Sequence, residues 1–580
     1  MLKIKNYFVV LGLLVILSVF SAVSHAAEIV FLDTTETSSR DLSSQKFSFS
    51  QRMHDLMDFA SYKQYGPDRS GMITGRFSTQ VEFTNVSGNQ SKSFYRDNNE
   101  DYQTDLSLNL YEKLSNGYQL QGQSTLRKTD NARVENKRDV KIKQFNVSAR
   151  NEDNLFELGD FYADFSQFVM SSSLEGANAS MQLSDSLTVK SIAARKAEKD
   201  AGAGIFQRNV LGLKADTFLF EDSDDFSLFR IGAQGVSVQD DSSTVPQNSS
   251  SVDINNSVYG IDAEMRMHNG ASLIFELANS RYIKDDDAQS KDINSGLAFR
   301  LQPGFRYEDW LNARYLYYYV QPEFYTDVGS ASSDKIQHQV VLDFRLSEKN
   351  ILSLTENLYW DHLDDSTLAK RTTNNEQYLT LTTRPFENNK DFSLRTYINQ
   401  LNKDSDDLDN TAESATSTYG LSLNTRISKA SLGVFFEHRY FDDKAAGANT
   451  ESFQRFGSNF SRDFNVFKRR LYLAANYSAD SRDSRSDENL SLSNGLSVSG
   501  RYEISDPLNL SFGHNLMIAD NAGPMEDYYT NKTYGELSYK LKGERNGVIS
   551  ARAEVNNYLY DANDGDYQEK RVVGKFTSNF

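Results

Sequence analysis

The sequence predicts an all-β fold: a single large antiparallel transmembrane β-barrel of about 26 strands, counted to within about four. Three observations predict it. Apolar and polar residues alternate with period two along most of the chain, the connections between these segments are by turns short and long, and the composition is rich in aromatics without being hydrophobic.

Composition poses the problem that a barrel solves. The 580 residues are 38% hydrophobic and 12% aromatic, with 37 Phe and 31 Tyr, at a mean hydropathy of -0.58. One dry core stops growing near ~250–300 residues, and this chain is too polar for several such cores yet too aromatic for a disordered one. A barrel is solvated by lipid outside and by water inside, so it uses many aromatics without a large dry interior. The 7 Pro are few, as expected where every ladder N–H is needed. The absence of Cys excludes disulfides, thiolate zinc, Cys-ligated iron–sulfur clusters and covalently attached haem in this chain. A net charge of -18 argues against nucleic acid as a partner.

Residues 1–26 are read as a signal peptide. Lys3 and Lys5 precede an apolar run from Tyr7 to Phe20, and Ser24-His25-Ala26-Ala27 offers small residues for cleavage after Ala26 or Ala27. At ~14 residues the run is shorter than the ~20 a membrane helix needs. Residues 27–71 are expected to form a periplasmic or plug segment, with one short amphipathic helix between Phe47 and Tyr65, and 72–580 the barrel.

Within the barrel, Tyr419, Leu421, Leu423, Thr425 and Ile427 alternate with Gly420, Ser422, Asn424 and Arg426, and similar stretches surround Val340–Leu346, Tyr259–Met267 and Ile549–Val555. Short turns are expected at 542–546, 505–507, 428–430, 386–389, 347–350, 268–270 and Gln302-Pro303-Gly304. Between them fall long acidic loops: 561–566, 520–529, 480–489, 442–450, 403–414, 361–374, 239–255 and Lys284 to Asp292. Turns at one end and loops at the other match short periplasmic turns and long extracellular loops. Tyr359, Trp360, Tyr378, Tyr397, Tyr440, Tyr477 and Tyr558 stand where an interfacial aromatic girdle is expected. Glu356 and His514 share parity with lipid-facing leucines, which calls for a bulge or for cover over those strands.

The final segment places Val572, Gly574, Phe576, Ser578 and Phe580 on one face. It resembles the terminal strand of Gram-negative outer-membrane β-barrel proteins, the family of large porin-like and conduit barrels. That resemblance implies that Gly574, Phe576 and Phe580 carry the signal read by the barrel assembly machinery, and that outer-membrane lipid and lipopolysaccharide surround the wall.

By parity, the inward positions include Arg230, Asp262, Glu264, Arg266, Glu276, Asp343, Arg345, Arg395, Arg426, Glu437, Arg439, Glu536, Lys540, Arg552 and Glu554, together with Gln234, Arg571 and Lys575. Both signs are present. They serve either as cross-strand networks that stiffen the wall or as the lining of a hydrophilic path. About 26 strands enclose a lumen roughly 50 Å across, so inward-folded loops, the amino-terminal segment or a partner should fill part of it.

Leu158-Gly159-Asp160, Phe165-Ser166 and Leu174-Glu175-Gly176-Ala177 are similar to the LGD…RGxxL region of fimbrial usher barrels, with Glu175 where the usual Arg stands. The function this sequence points to is a channel or conduit for hydrophilic solutes or a polymer across the outer membrane. Two alternatives stay open. One is a sleeve around a partner protein in the lumen, as in porin–cytochrome conduits, where any haem must belong to another chain; the other is an usher- or secretion-like translocon. No catalytic constellation, cofactor or metal site is expected: the His residues are scattered, and Asp561–Asp566 matches a calcium loop only loosely.

Overall fold

The computed structural model describes residues 71–580 except 94, 96–98, 115–116, 132–133, 135–139, 197–206, 222–224, 242–252, 288–289, 364–370, 388, 390, 406–412, 445–449, 485–488, 522–526, 542–545 and 562–564. The expected signal peptide and the helix between Phe47 and Tyr65 lie outside the described residues.

Twenty-six strands form one antiparallel sheet. They are β1 (Gly71–Gly88), β2 (Asn99–Lys113), β3 (Gln119–Thr129), β4 (Lys141–Arg150), β5 (Asn154–Ser166), β6 (Met170–Ser184), β7 (Leu187–Lys196), β8 (Gln207–Glu221) and β9 (Phe226–Asp241). They continue with β10 (Asp253–Met267), β11 (Ala271–Asp287), β12 (Ser290–Tyr307), β13 (Leu311–Val320), β14 (Lys335–Ser347), β15 (Asn350–Asp361), β16 (Thr372–Thr383) and β17 (Ser393–Ser405). The last are β18 (Ser414–Ile427), β19 (Ala430–Asp443), β20 (Thr450–Val466), β21 (Arg469–Ser484), β22 (Asn489–Glu503), β23 (Leu508–Asp520), β24 (Tyr528–Lys540), β25 (Asn546–Tyr560) and β26 (Tyr567–Asn579). Each strand pairs with its sequence neighbours, and β1 pairs with β26 from Arg76↔Asn579 to Gly88↔Tyr567, so the sheet closes on itself. At the seam, Gly75 and Phe580 exchange both backbone hydrogen bonds. The Phe580 ring fills the space a Cβ on Gly75 would need, at 2.4 Å.

The two faces differ as the period-two pattern dictates. Leu211 and Leu213 on β8 are 62% and 58% exposed, while Val210, Lys214 and Asp216, at the alternate positions of the same strand, are buried. The exposed apolar face is the outside of the barrel and the other is the lumen. Several expectations change. The turn expected at Gln302-Pro303-Gly304 is strand: β12 runs through it to Tyr307, keeps its pairing to β11, and breaks its pairing to β13 at Gln302–Pro303, on the side where proline has no N–H to give. The loop expected from Lys284 to Asp292 is largely the extended ends of β11 and β12, paired as far as Asp287↔Ser290. Around Glu356 and His514 the register runs without a bulge. Glu356 stays outside, exposed and opposite Gln377, and His514 shares a 2.9 Å hydrogen bond with Thr533. Of the aromatics expected in a girdle, Trp360, Tyr440 and Tyr477 face outward. Register places Tyr359, Tyr378, Tyr397 and Tyr558 on the lumenal face with Asn357, Arg395, Glu437 and Glu554.

Candidate functional site

The site is the lumen, and its main feature is a hairpin that leaves the wall. β5 pairs with β4 only from Leu155 to Gly159, whereas β5 and β6 pair with each other almost to their shared tip. Gly159 has φ +106, a conformation closed to other residues here, and a Cβ on it would lie 2.1 Å from Phe145 O. Asp160 supplies what the ladder loses: its carboxylate accepts the Phe145 N–H at 2.7 Å, and its carbonyl accepts from Asn146 Nδ2 at 2.8 Å. The Leu-Gly-Asp triplet is thus the point where the strand turns inward. The hairpin rejoins the wall at β7 from Leu174, just before Glu175 pairs with Arg195 at 2.9 Å.

Between these points, 160–173 folds against the lumenal face of β8–β13. Phe161, Ala163, Phe165, Phe168, Val169 and Met170 form one buried cluster with Val210, Val236, Val258, Ala278, Ala298, Tyr318, Phe324 and Val328. The connection 321–334 lies over the tip as a strap. Ser171 N donates to Val328 O at 2.7 Å, and Ser330 N donates to Gln167 O at 2.9 Å.

Beneath this apolar contact runs an ion network. Lys214 Nζ donates to Phe165 O at 2.6 Å and pairs with Asp216 at 3.4 Å and Asp262 at 3.1 Å. Arg230 reaches Asp216 at 2.5 Å, Asp262 at 2.7 Å and Glu264 at 3.7 Å, and Arg266 pairs with Glu264 at 2.5 Å. Three carboxylates meet three cations, so the group is close to neutral. Glu276 accepts the Phe168 N–H at 2.8 Å, and Arg300 donates to Gln167 at 3.2 Å. The strap is tied by Arg208, which reaches Asp240 at 2.8 Å and Asp327 at 3.0 Å, and by Asn256, which donates to Tyr325 O at 3.0 Å. Burial, reinforced by its hydrogen bond to Asp327, pushes the Tyr325 hydroxyl far above its ordinary range, so it stays protonated and donating.

All fifteen charged residues singled out as lumenal from the sequence fall on this one face. The fold gathers Arg230, Asp262, Glu264, Arg266 and Glu276 under the hairpin. Elsewhere they make local contacts: Asp343 with Asn312 at 3.2 Å, Arg395 with Tyr378 at 2.7 Å, Glu437 with Tyr397, Arg439 over Phe453 at 5.1 Å, and Arg552 with Glu554 at 2.6 Å. Glu536 stands opposite Arg552, while Arg345, Arg426 and Lys540 lie near the turn end. Sequence reasoning missed Lys214, Asp216, Arg208, Asp240, Arg300 and the strap residues Tyr325 and Asp327. The first two were open to the parity argument, since Lys214 lies opposite Gln234 and Asp216 opposite Gly232, on the face that also carries Arg230. Among the described residues no group of three or more His, Asp or Glu is arranged to hold a metal ion.

No protein-family model matches the chain, and no curated protein matches it in sequence. Solved structures similar to it include the siderophore receptor PirA from Pseudomonas aeruginosa, with 11% identity over 89% of this chain and 81% of that one and a TM-score of 0.40. The P pilus usher (PapC) translocation pore shows 10% identity over 87% and 99%, TM-score 0.32. A BenF-like porin from Pseudomonas fluorescens Pf-5 shows 8% identity over 88% and 99%, TM-score 0.31.

Proposed function

We propose that the chain is an outer-membrane conduit for hydrophilic solutes or a polymer, narrowed from one side by its own hairpin. The observation that carries this is the asymmetry of the lumen. The hairpin and strap bury the faces of β8–β13, whereas lumenal Asn476, Ser478 and Asn515 on the far wall are exposed and Ser497 is half-buried, around an opening that a barrel roughly 50 Å across leaves wide. A closed ladder with an apolar exterior pairs the backbone strand to strand without water, which is the requirement for crossing lipid with strands. In this reading residues 1–26 are a leader and 72–580 the barrel, lipid and lipopolysaccharide surround the wall, and the outward face of β26 with Gly574, Phe576 and Phe580 is what the barrel assembly machinery engages. The charged lumenal residues line the path on the open side and stiffen the wall under the hairpin.

Planar-bilayer conductance of the purified protein tests it. Because the chain has no Cys, the pair Gln167→Cys/Ser330→Cys ties the hairpin to the strap specifically. A steady conductance is expected, larger or noisier when the tether is reduced than when it is oxidised. A bilayer that stays closed at all voltages, with or without the tether, sinks the conduit reading; a stoichiometric protein that co-purifies in the lumen supports the sleeve instead.

A further inference from the structure

The wall opposite the hairpin differs in chemistry from the wall beneath it. Across β18–β26 one lumenal row runs in register through Asn424, Gly433, Asn459, Asn476, Ser497, Asn515, Lys532, Asn556 and Glu569. From Asn459 to Asn515 it is uncharged, made of groups that donate and accept hydrogen bonds at once. The row beside it, Gly457, Ser478, Gly495 and Met517, is also uncharged, and Phe435 at its head is 38% exposed. Strand tilt makes the row climb. Asn424 lies three residues from the turn end of β18 at Ile427, and Glu569 ten residues from the end of β26 at Asn579.

The row ends in a recess of about 880 Å³ between β24–β26 and Ser91, Lys92, Ser93 and Tyr95, which follow β1. Its lining balances two carboxylates, Glu554 and Glu569, against two ammonium groups, Lys92 and Lys532, and adds one unmatched acceptor. Asn556 is 5% exposed. Its Nδ2 donates to Glu554 at 3.0 Å and Glu569 at 3.4 Å, while its Oδ1 receives no hydrogen bond among the described residues. Ser93 Oγ donates to Glu569 at 2.6 Å. The stacked rings of Tyr558 and Tyr567, with centroids 4.3 Å apart, form one side. A buried acceptor without a donor costs free energy until a donor arrives. Asn556 lines the recess, so a ligand hydroxyl entering it comes up against this amide, with two carboxylates beside it to take further hydroxyls and aromatic surface for a C–H face.

We propose that this recess and the row leading to it bind a neutral, hydroxyl-rich chain, an oligosaccharide segment, as it passes through the lumen. Neutral hydroxyls match every group along the row. A chain carrying one sign of charge would meet its like in the recess, Glu554 and Glu569 or Lys92 and Lys532, and an extended polypeptide would find few apolar pockets for alternate side chains. The proposal rests on the conduit reading for passage but not for binding.

The test uses the full-length protein and a panel of neutral hexasaccharides: malto-, cello- and N-acetylated chito-hexaose. Binding is measured by calorimetry in detergent and by blockade of single-channel current. At least one neutral oligosaccharide is expected to bind, with affinity falling about fivefold or more in Asn556→Ala and Asn515→Ala. Both variants should keep wild-type heat-modifiable migration, which shows that the barrel has assembled. Binding without conductance would retain the site and remove the conduit. Conductance with no binding by any sugar, binding unmoved by either variant, or blockade only by hexaglutamate or an extended peptide would overturn the site and leave the conduit standing.

Discussion

Replacing Lys214 with Ala tests whether the hairpin is held by the ion network or merely rests on it. The Lys214 side chain is 3% exposed, and its ammonium serves three acceptors, Phe165 O, Asp216 and Asp262. Stripping one partner from a buried pair costs ~3–5 kcal/mol when the other charge is left alone. Here Arg230 still reaches both carboxylates, so the loss is nearer a charge-assisted hydrogen bond plus part of two ion pairs, about 3 kcal/mol. That shifts the docked-to-undocked ratio roughly 150-fold. Amide hydrogen exchange reads the shift directly, because the Phe168 N–H is satisfied by Glu276 and the Ser171 N–H by Val328 O only when the hairpin is docked. Protection at these two amides should fall by about 100-fold while amides of β22 and β23 keep theirs. Adding Asp216→Asn alone to the variant should recover part of the loss, since Asp262 and Glu264 then balance Arg230 and Arg266. Unchanged exchange at Phe168 and Ser171, or an equal loss across the whole barrel, would refute the reasoning.

Three further outcomes are expected. Gly159→Val puts a β-branched residue at φ +106 with its Cβ 2.1 Å from Phe145 O, a strain of at least ~2 kcal/mol; it should either expose Phe168 to exchange as Lys214→Ala does or abolish the heat-modifiable folded band. Glu356→Leu removes a carboxylate from the apolar exterior and should raise barrel stability in lipid by about 1–2 kcal/mol, read from the denaturant midpoint of refolding; a loss of stability would mean that face is covered by something other than lipid. For topology, a Cys at Lys444 on the loop end should be labelled from outside intact cells and one at Lys468 on the turn end should not, and the opposite pattern would invert the barrel.

How far the structure was legible in the sequence depends on the range of the interactions. Alternation along Tyr419–Ile427 places those side chains because parity is a property of one strand, and the registers carry that parity around the barrel apart from local shifts such as those at Thr125/Leu126 and Phe218/Phe220. The errors arose where a local signal was outweighed by a neighbour. Pro303 reads as a turn residue, yet it sits in a strand because its missing N–H faces a gap in the β12–β13 ladder. Tyr378 and Tyr397 read as a girdle from their nearness to strand ends, yet parity puts them inside with Arg395 and Glu437.

The sequence by itself determined an all-β chain of about 26 strands, the alternation of faces along each strand and the inclusion of charged groups on the lumenal wall, because all of these follow from period two and from the cost of unpaired backbone in lipid. Only the tertiary structure decided which of those charges act together. Asp160 and Phe145 meet, as do Lys214 and Phe165 O or Ser171 and Val328, because Gly159 turns one hairpin inward and a strap more than 150 residues away closes over it. Contacts of that separation are set by the closure of the barrel, not by any pattern along the chain.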